Sequence, residues 1–505
     1  MSSEIELKLH IDERDIRRLL RLPQLSSVTL KKFPSQRLVN TYYDTADFRL
    51  RDLGIAVRLR QAGGKWLQTI KTEGRVVAGL HQRPEWESAT IANTLDFSRL
   101  QDEKLLALLQ RTLDGAPLHP AFTTDFTRLN RQLQLGDGTQ CQFSLDRGKI
   151  SAGDKEALIN EIELEIINGS PVALFDFARA LLSHVPLRLA HDSKAQRGFA
   201  LALGAASKPI KAKQAEINKQ MSVQQGYIAI ATACVQHLTA NEPGFALGKE
   251  AEYLHQLRVA MRRLRTAIRL FSDHLDSAKM IAIVDELRWL SGQLGTTRDL
   301  DVFIEETLPP VTVAWPAHAG LAQIRHRVCA RRDAAGAASR VAVQSPRYQR
   351  LLLDIGAWLV AMSNQTSDSL DASRTIKLAD FARDALRRHR KQLIRRAEHL
   401  LELSPEERHR VRISGKRLRY AAEFFSPLFA AKRSKPYIQE LANFQAILGV
   451  LNDAATTKTI LSQAADENNS EALAIMQAWV LGVGYGHMAH LPQAHSRFLR
   501  QQTFW

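Results

Sequence analysis

Glu4-Ile5-Glu6-Leu7-Lys8-Leu9 alternates charged and aliphatic residues without a break. Residues two apart on a strand share a face, so this stretch predicts a strand with one apolar side and one fully charged side. The same signature returns at Val57-Arg58-Leu59-Arg60 and at Glu161-Ile162-Glu163-Leu164-Glu165-Ile166, and period-two pieces continue from Ser3 to about Leu203. A two-sheet sandwich accounts poorly for them, because its solvent face is usually mixed in character.

The charged faces sort by sign. Glu4/Glu6, Glu85/Glu87 and Glu161/Glu163/Glu165 are acidic, whereas Arg58/Arg60, Lys71 and Arg83 are basic, with Lys8 following the first acidic pair. For a single strand a solvated outer face is the simpler reading. For the set, a closed barrel serves better, with aliphatic side chains pointing out to covering helices and charges lining the lumen. Carboxylates crowded there repel one another unless cations sit among them. Oxygen donors without His or Cys suit a hard Mg²⁺ or Mn²⁺ ion. Facing Arg and Lys side chains suit a multiply charged phosphate chain. Trp66 and Trp86 fall on the face opposite the charges and read as outward core, so no platform for a base or thiazole is visible.

Glu4-x-Glu6-x-Lys8 resembles the ExExK signature of the CYTH domain, the triphosphate tunnel metalloenzyme superfamily. The rest of the pattern follows in family order: Tyr42-Tyr43-Asp44-Thr45, Val57-Arg58-Leu59-Arg60, Thr69-Ile70-Lys71, Arg83-Pro84-Glu85, Ser144-Leu145-Asp146-Arg147-Gly148, Glu161-Ile162-Glu163-Leu164-Glu165 and Ser193-Lys194-Ala195-Gln196-Arg197-Gly198. The resemblance implies an eight-stranded antiparallel tunnel with flanking helices that acts on triphosphates with a divalent metal. It implies phosphate ligands at Arg37, Arg58, Arg60, Lys71, Arg83, Arg128, Lys194 and Arg197, and Lys8 beside the reacting phosphorus. It implies metal ligands at Glu4, Glu6, Glu161, Glu163 and Glu165, with Glu4, Glu6 and Lys8 as the catalytic set and Glu85 and Glu87 as further acidic candidates. Gly79-Leu80-His81-Gln82-Arg83-Pro84-Glu85 resembles the bacterial inorganic triphosphatase subgroup. An enzyme on thiamine triphosphate or ATP, and a non-catalytic polyphosphate scaffold, remain as alternatives.

Beyond Leu203 the text becomes rich in Ala, Leu, Arg and Gln with helical spacing, after a basic linker at 205–220. His255-x-x-Arg258-x3-Arg262-Arg263-Leu264-Arg265 recurs as His409-x-x-Arg412-x3-Lys416-Arg417-Leu418-Arg419. The offset is 154 throughout (409−255, 412−258, 417−263), and Leu294-Gly295 and Asp299 repeat at Leu448-Gly449 and Asp453 with the same offset. A period that long predicts two homologous helical halves, not a solenoid. His255, Arg258, Arg262 and Arg265 fall on one helical stripe. Asp299 and Asp453 are placed to orient these bases from a facing helix, with helix capping as the competing reading. The repeat resembles the CHAD domain, which implies two four-helix halves around a basic channel and binding of inorganic polyphosphate at the repeat residues. Lys416, standing where the first copy has Arg262, keeps the charge and loses the bidentate fork.

The charge balance agrees. The chain of 505 residues has a net charge of +16; residues 1–204 hold 28 basic and 25 acidic side chains, leaving 41 and 28, or +13, behind them. That asymmetry points to a polyanion. Sequence-specific nucleic acid is disfavoured, because the stripes carry no interleaved aromatics and no zinc-finger or helix-turn-helix signature. Three widely spaced cysteines give no disulfide framework. The charged N-terminus and the lack of a long apolar run predict a cytoplasmic protein without a membrane span, with association with polyphosphate granules left open. The expected organisation is a tunnel domain at 1–204, the linker, and an all-α domain at 221–505.

Overall fold

The computed structural model describes residues 2–91, 93–204, 208–248, 251–368, 376–465 and 469–505. Two compact units are present, Met1–Lys208 with Gln344–Ala361, and Pro209–Val343 with Met362–Trp505. The first unit holds eleven strands: β1 (Ser2–Ile11), β2 (Thr29–Lys32), β3 (Gln36–Asp44), β4 (Ala56–Ala62), β5 (Lys65–Lys71), β6 (Arg75–Val77), β7 (Leu80–Thr90), β8 (His119–Gln134), β9 (Gln140–Ala152), β10 (Lys155–Asn168) and β11 (Leu187–Leu189). Helices of eight residues or more are α1 (Glu13–Leu20), α2 (Glu103–Leu113), α3 (Pro171–Leu182), α4 (Lys194–Leu203), α5 (Val223–Ala246), α6 (Ala251–Leu270), α7 (Ser277–Gln293), α8 (Gly295–Val302), α9 (Ala319–Gln344), α10 (Pro346–Asp368), α11 (Leu378–Arg396), α12 (Pro405–Phe425), α13 (Ala431–Ala464) and α14 (Ser470–Arg500).

Eight strands close a ring in the order β1-β10-β9-β8-β3-β4-β5-β7, with β7 returning to β1. Every pairing is antiparallel. The alternation read from Glu4 to Leu9 is the reason. Leu7 and Leu9 are buried outside the ring while Glu4, Glu6 and Lys8 point into it. Outside β4, β5 and β7, Val57, Ile70 and Trp86 pack with Leu105 and Leu109 of α2, so Trp86 is outer core as expected.

The lumen is charged only along part of its length. Farther in, Leu38, Tyr42, Phe122, Phe126, Ile150 and Ile159 form an apolar cluster completed by Phe199 of α4. A Cβ added at Gly198 would lie 2.0 Å from the Phe122 ring, so α4 sits flush on this cluster. Ser193 and Gln196 fix its start through a reciprocal capping box. The charged cavity therefore borders an apolar cluster, with Tyr42 and Phe126 belonging to both.

The second unit is helical. Capping boxes at Ser222/Gln225 and Ser404/Glu407 open α5 and α12, one in each copy of the repeat. Among the described residues no helix is long and apolar enough to cross a membrane.

Candidate active site and cationic track

Strand register assembles the charged cavity. On β1, Glu6 stands opposite Glu165 and Lys8 opposite Glu163 of β10, while Glu4 faces Arg83 of β7. Lys71 pairs with Glu85, Tyr42 with Arg58, and Arg128 with Asp146. All of these except Asp146 line a cavity of about 230 Å³, together with Arg60, Glu87, Asn40 and Lys194.

Acidic and basic groups meet around it. On the β1–β10 side Glu4, Glu6, Glu163 and Glu165 converge. Lys71 Nζ lies 2.7 Å from Glu4, Arg83 Nη2 2.9 Å from Glu6, and Lys8 Nζ 2.7 Å from Glu6 and 2.5 Å from Glu163. Burial would raise the Glu4 acid, but Lys71 and Arg83 outweigh it and hold the group at about 2. Glu165 is the contrast: burial first, and then Glu4, Glu6 and Glu163, push it up to about 7. Across the ring on β4 stand Arg58 and Arg60, with Arg58 Nη2 3.6 Å from Glu85. The Arg58 Nε is buried without a hydrogen-bond partner, and Arg60 donates to the neutral Asn40 Oδ1 at 2.8 Å. Burial, then Arg58 and Arg128, lower Arg60 to about 10.

Deeper in, Lys194 Nζ reaches Asp146 at 2.8 Å, Glu161 at 2.5 Å and Glu163 at 2.9 Å. Arg128 holds Asp146 through two bonds of 2.7 Å. Asp146, Asn40 and Tyr42 went unassigned in the sequence, although the Asp146 motif and the Tyr42 motif were both visible in it. Their roles rest on cross-strand register, which a single sequence does not print.

Three expected ligands stand elsewhere. Arg37 occupies the outer face of β3 and pairs with Asp125 at 2.6 Å, with its side chain 71% exposed. Its odd number puts it out of phase with Asn40 and Tyr42. Arg197 does not line the cavity; it donates to the Leu158 carbonyl at 2.5 Å and lies 3.8 Å from Glu161. Glu161 is fully buried behind the cavity against Lys194, so it is a poor metal ligand here. Among the described residues no group of three His, Cys, Asp or Glu side chains has metal-holding geometry. The acidic wall, with Glu165 lacking any cation of its own at salt-bridge distance among these contacts, is nonetheless suited in donor chemistry to a hard cation.

In the second unit His255, Arg258, Arg262 and Arg265 share the half-buried face of α6. Arg258 comes within 4.0 Å of Asp299, which lies inside α8, whose N-cap is Leu294; the side chain of Asp453 lies outside the described residues. Arg263 leaves the stripe: it is buried, bonds Glu423 at 2.7 Å and stacks over Phe424. Arg419 is likewise engaged by Glu423, at 3.4 Å. On α12, His409 is exposed and Arg412, Lys416 and Arg417 are half-buried.

The 154-residue offset makes Arg269 the counterpart of Glu423. Arg263 in the first copy thus has an acidic partner, while Arg417 in the second has Arg269 and Arg396 within electrostatic reach. Burial, then Arg417 and Arg388, lower His389 to about 4. The stripe of α6 therefore runs on through Arg269 to a cavity shared with Arg388, His389, Lys391 and Arg395 of α11.

Comparison with known proteins decides the family. The CYTH domain family matches residues 2–199 and the CHAD domain family residues 229–462. The chain joins a CYTH domain to a CHAD domain. Its CYTH part is 36% identical over 202 residues to a protein of Haemophilus influenzae named inorganic triphosphatase, covering 40% of this chain and 55% of that one. The match thus spans little more than half of that relative. An uncharacterised protein of Mycobacterium tuberculosis is 25% identical over 471 residues, 88% of this chain and 85% of its own. The CHAD domain of the plant Ricinus communis superposes with a TM-score of 0.53 at 29% identity, covering 59% of this chain and 99% of that domain. These matches account for the barrel in front and the duplicated helices behind.

Proposed function

We propose that the CYTH cavity hydrolyses inorganic triphosphate to diphosphate and phosphate with Mg²⁺ or Mn²⁺, and that the CHAD domain binds polyphosphate. The observation that carries the first part is the gathering of Arg58, Arg60, Lys71 and Arg83 with Glu4, Glu6, Glu163 and Glu165 around one small cavity. Arg58 and Arg60 offer incompletely neutralised guanidinium groups to phosphate oxygens, by paired donors. Glu4, Glu6, Glu163 and Glu165 would hold the metal, which when bound would neutralise phosphate charge and lower the pKa of a water. Lys8, between Glu6 and Glu163, is placed to stabilise charge on the transferring phosphoryl group. The aromatic side chains at the cavity, Tyr42 and Phe126, belong to the apolar cluster, and Tyr42 is stacked on Phe122. Arg128 and Lys194 lie over the Phe126 ring, and this crowding of the two rings supports the inorganic substrate over ATP or thiamine triphosphate. For the helical part, the support is the cationic track from His255 to Arg417.

Phosphate release from triphosphate, ATP and thiamine triphosphate at equal concentration tests this reading. Triphosphate should turn over at least ~10-fold faster than either organic compound. Arg60→Ala should raise KM by ~10-fold or more, worth about 1.4 kcal/mol. Lys8→Ala should cut kcat by ~100-fold or more. Arg37→Ala, which removes only an exposed pair, should leave both constants unchanged. Equal turnover of ATP, or wild-type kinetics in Lys8→Ala, would defeat the reading.

A further inference from the structure

The barrel unit includes a stretch far downstream of its last strand, Gln344–Ala361, which forms most of α10. This stretch is seated closely. A Cβ on Gly356 would lie 2.4 Å from Phe175 of α3 and 2.8 Å from Ala78, and Arg350 donates to Ser183 Oγ at 3.0 Å. Gln349 is 2% exposed, and its Oε1 accepts the backbone N–H of Leu189 at 2.9 Å.

What Gln349 holds is the three-residue strand β11, which pairs with Leu9–Ile11 of β1. The β1 edge changes partner at this point. From Ser2 to Leu7 it pairs with β7, and from Leu9 onward with β11. Lys8 is the joint: its N–H donates to the Gly79 carbonyl at 3.1 Å, and its carbonyl accepts from the Ala190 N–H at 2.9 Å. The Ala190 carbonyl faces His81 Nε2 at 3.2 Å. Leu189 also fills the space beside Gly79, where an added Cβ would lie 2.6 Å from Leu189 Cδ2. A strand this short has little pairing of its own to hold it, so its position depends on what braces it.

We propose that Gln349 is a positioning residue for Lys8, fixing β11 and through it the backbone joint from which the Lys8 side chain enters the cavity. The proposal rests on the triphosphatase reading above and adds to it a residue from the C-terminal half of the chain. The phosphate-gripping residues Arg58 and Arg60 lie on β4, away from this brace, so loss of Gln349 falls on turnover more than on binding.

The test uses the full-length protein with Gln349→Met, which keeps the volume and removes the acceptor, and Gln349→Glu, which keeps an acceptor oxygen. Arg350→Ala serves as a control on the same helix. Expected for Gln349→Met is a ~10-fold fall in kcat with KM within twofold, equivalent to about 1.4 kcal/mol in the barrier. Gln349→Glu should recover kcat to within about threefold, and Arg350→Ala should match wild type. Amide hydrogen exchange supplies a readout independent of turnover: Leu189 and Ala190 should exchange faster in Gln349→Met while β4 stays protected. Unchanged kcat in a folded Gln349→Met protein, or an equal loss in Arg350→Ala, overturns the proposal. If wild type turns over no triphosphate, the functional reading fails on its own, and unaltered exchange at Ala190 would reject the brace separately.

Discussion

Glu165 and Arg37 show what a single residue's place in a strand decides. Both are charged and both lie in strands of the ring, yet Glu165 points into the lumen and Arg37 away from it. The folded state raises the Glu165 acid to about 7 from an ordinary 4.5, chiefly by burial and then by three neighbouring carboxylates. The neutral form is favoured, so this group carries no penalty below pH 4.5; the penalty builds between 4.5 and about 7 and is complete above that. Glu165→Gln should therefore match wild type near pH 4.5 and exceed it at pH 8 by roughly 1–2 kcal/mol, after allowance for partial exposure. Urea melts with chelator present would measure it, and an equal difference at both pH values would contradict the account. Period-two phase sorted Glu4, Glu6, Lys8, Arg58 and Arg60 correctly from the sequence. Arg37 departs from the position that the family pattern implies because its odd-numbered phase on β3 turns it out to Asp125. Asp146 was passed over because its partners, Arg128 and Lys194, come from a neighbouring strand and a helix.

Among elements, the paired helices α6 and α12 show how a duplication departs from symmetry. Their shared motif was legible, since five of the eleven positions in 255–265 recur identically, and Arg262 as Lys416, at one offset. The consequence of Arg269 standing where the other copy has Glu423 was not, because it depends on which side chains meet across the two helices. Arg263–Glu423 closes one side with an ion pair, and Arg269–Arg417 leaves the other cationic. Arg269→Glu should give Arg417 the partner that Arg263 already has. Polyphosphate affinity should then fall, and the slope of log K against log salt should shrink by about two charges. Melting temperature should hold or rise. Titration across a range of salt concentrations settles it; an unchanged slope would remove Arg269 from the binding surface. The seating of α10 against β11 lay beyond sequence reading for the same reason, as neither composition nor periodicity tells a helix which unit it joins.

Taken whole, the molecule divides its charge as it divides its fold. The front portion is nearly balanced, because its cations face carboxylates across the barrel; the +13 behind lies in the helical sequence with fewer acids to meet it. That division, the strand and helix classes and the duplication were all readable from pattern. The apolar cluster beside the cavity was not, since Leu38, Phe122, Ile150 and Ile159 look like ordinary core until the ring brings them together. An end sealed by them would leave the cavity one mouth, and a chamber with one mouth counts termini, not monomers. At a fixed mass of phosphate, the number of chain ends falls in inverse proportion to length. Initial phosphate release per unit mass should therefore drop as substrate is lengthened from triphosphate through short to long chains, with each chain shortened from its tip and no mid-length fragments on a gel. Early mid-length fragments would show that chains pass through the barrel and that this end is open. Otherwise, on the proposed activity, long polymer would be almost invisible to the cavity, and the small pool of short ends would be the quantity hydrolysed.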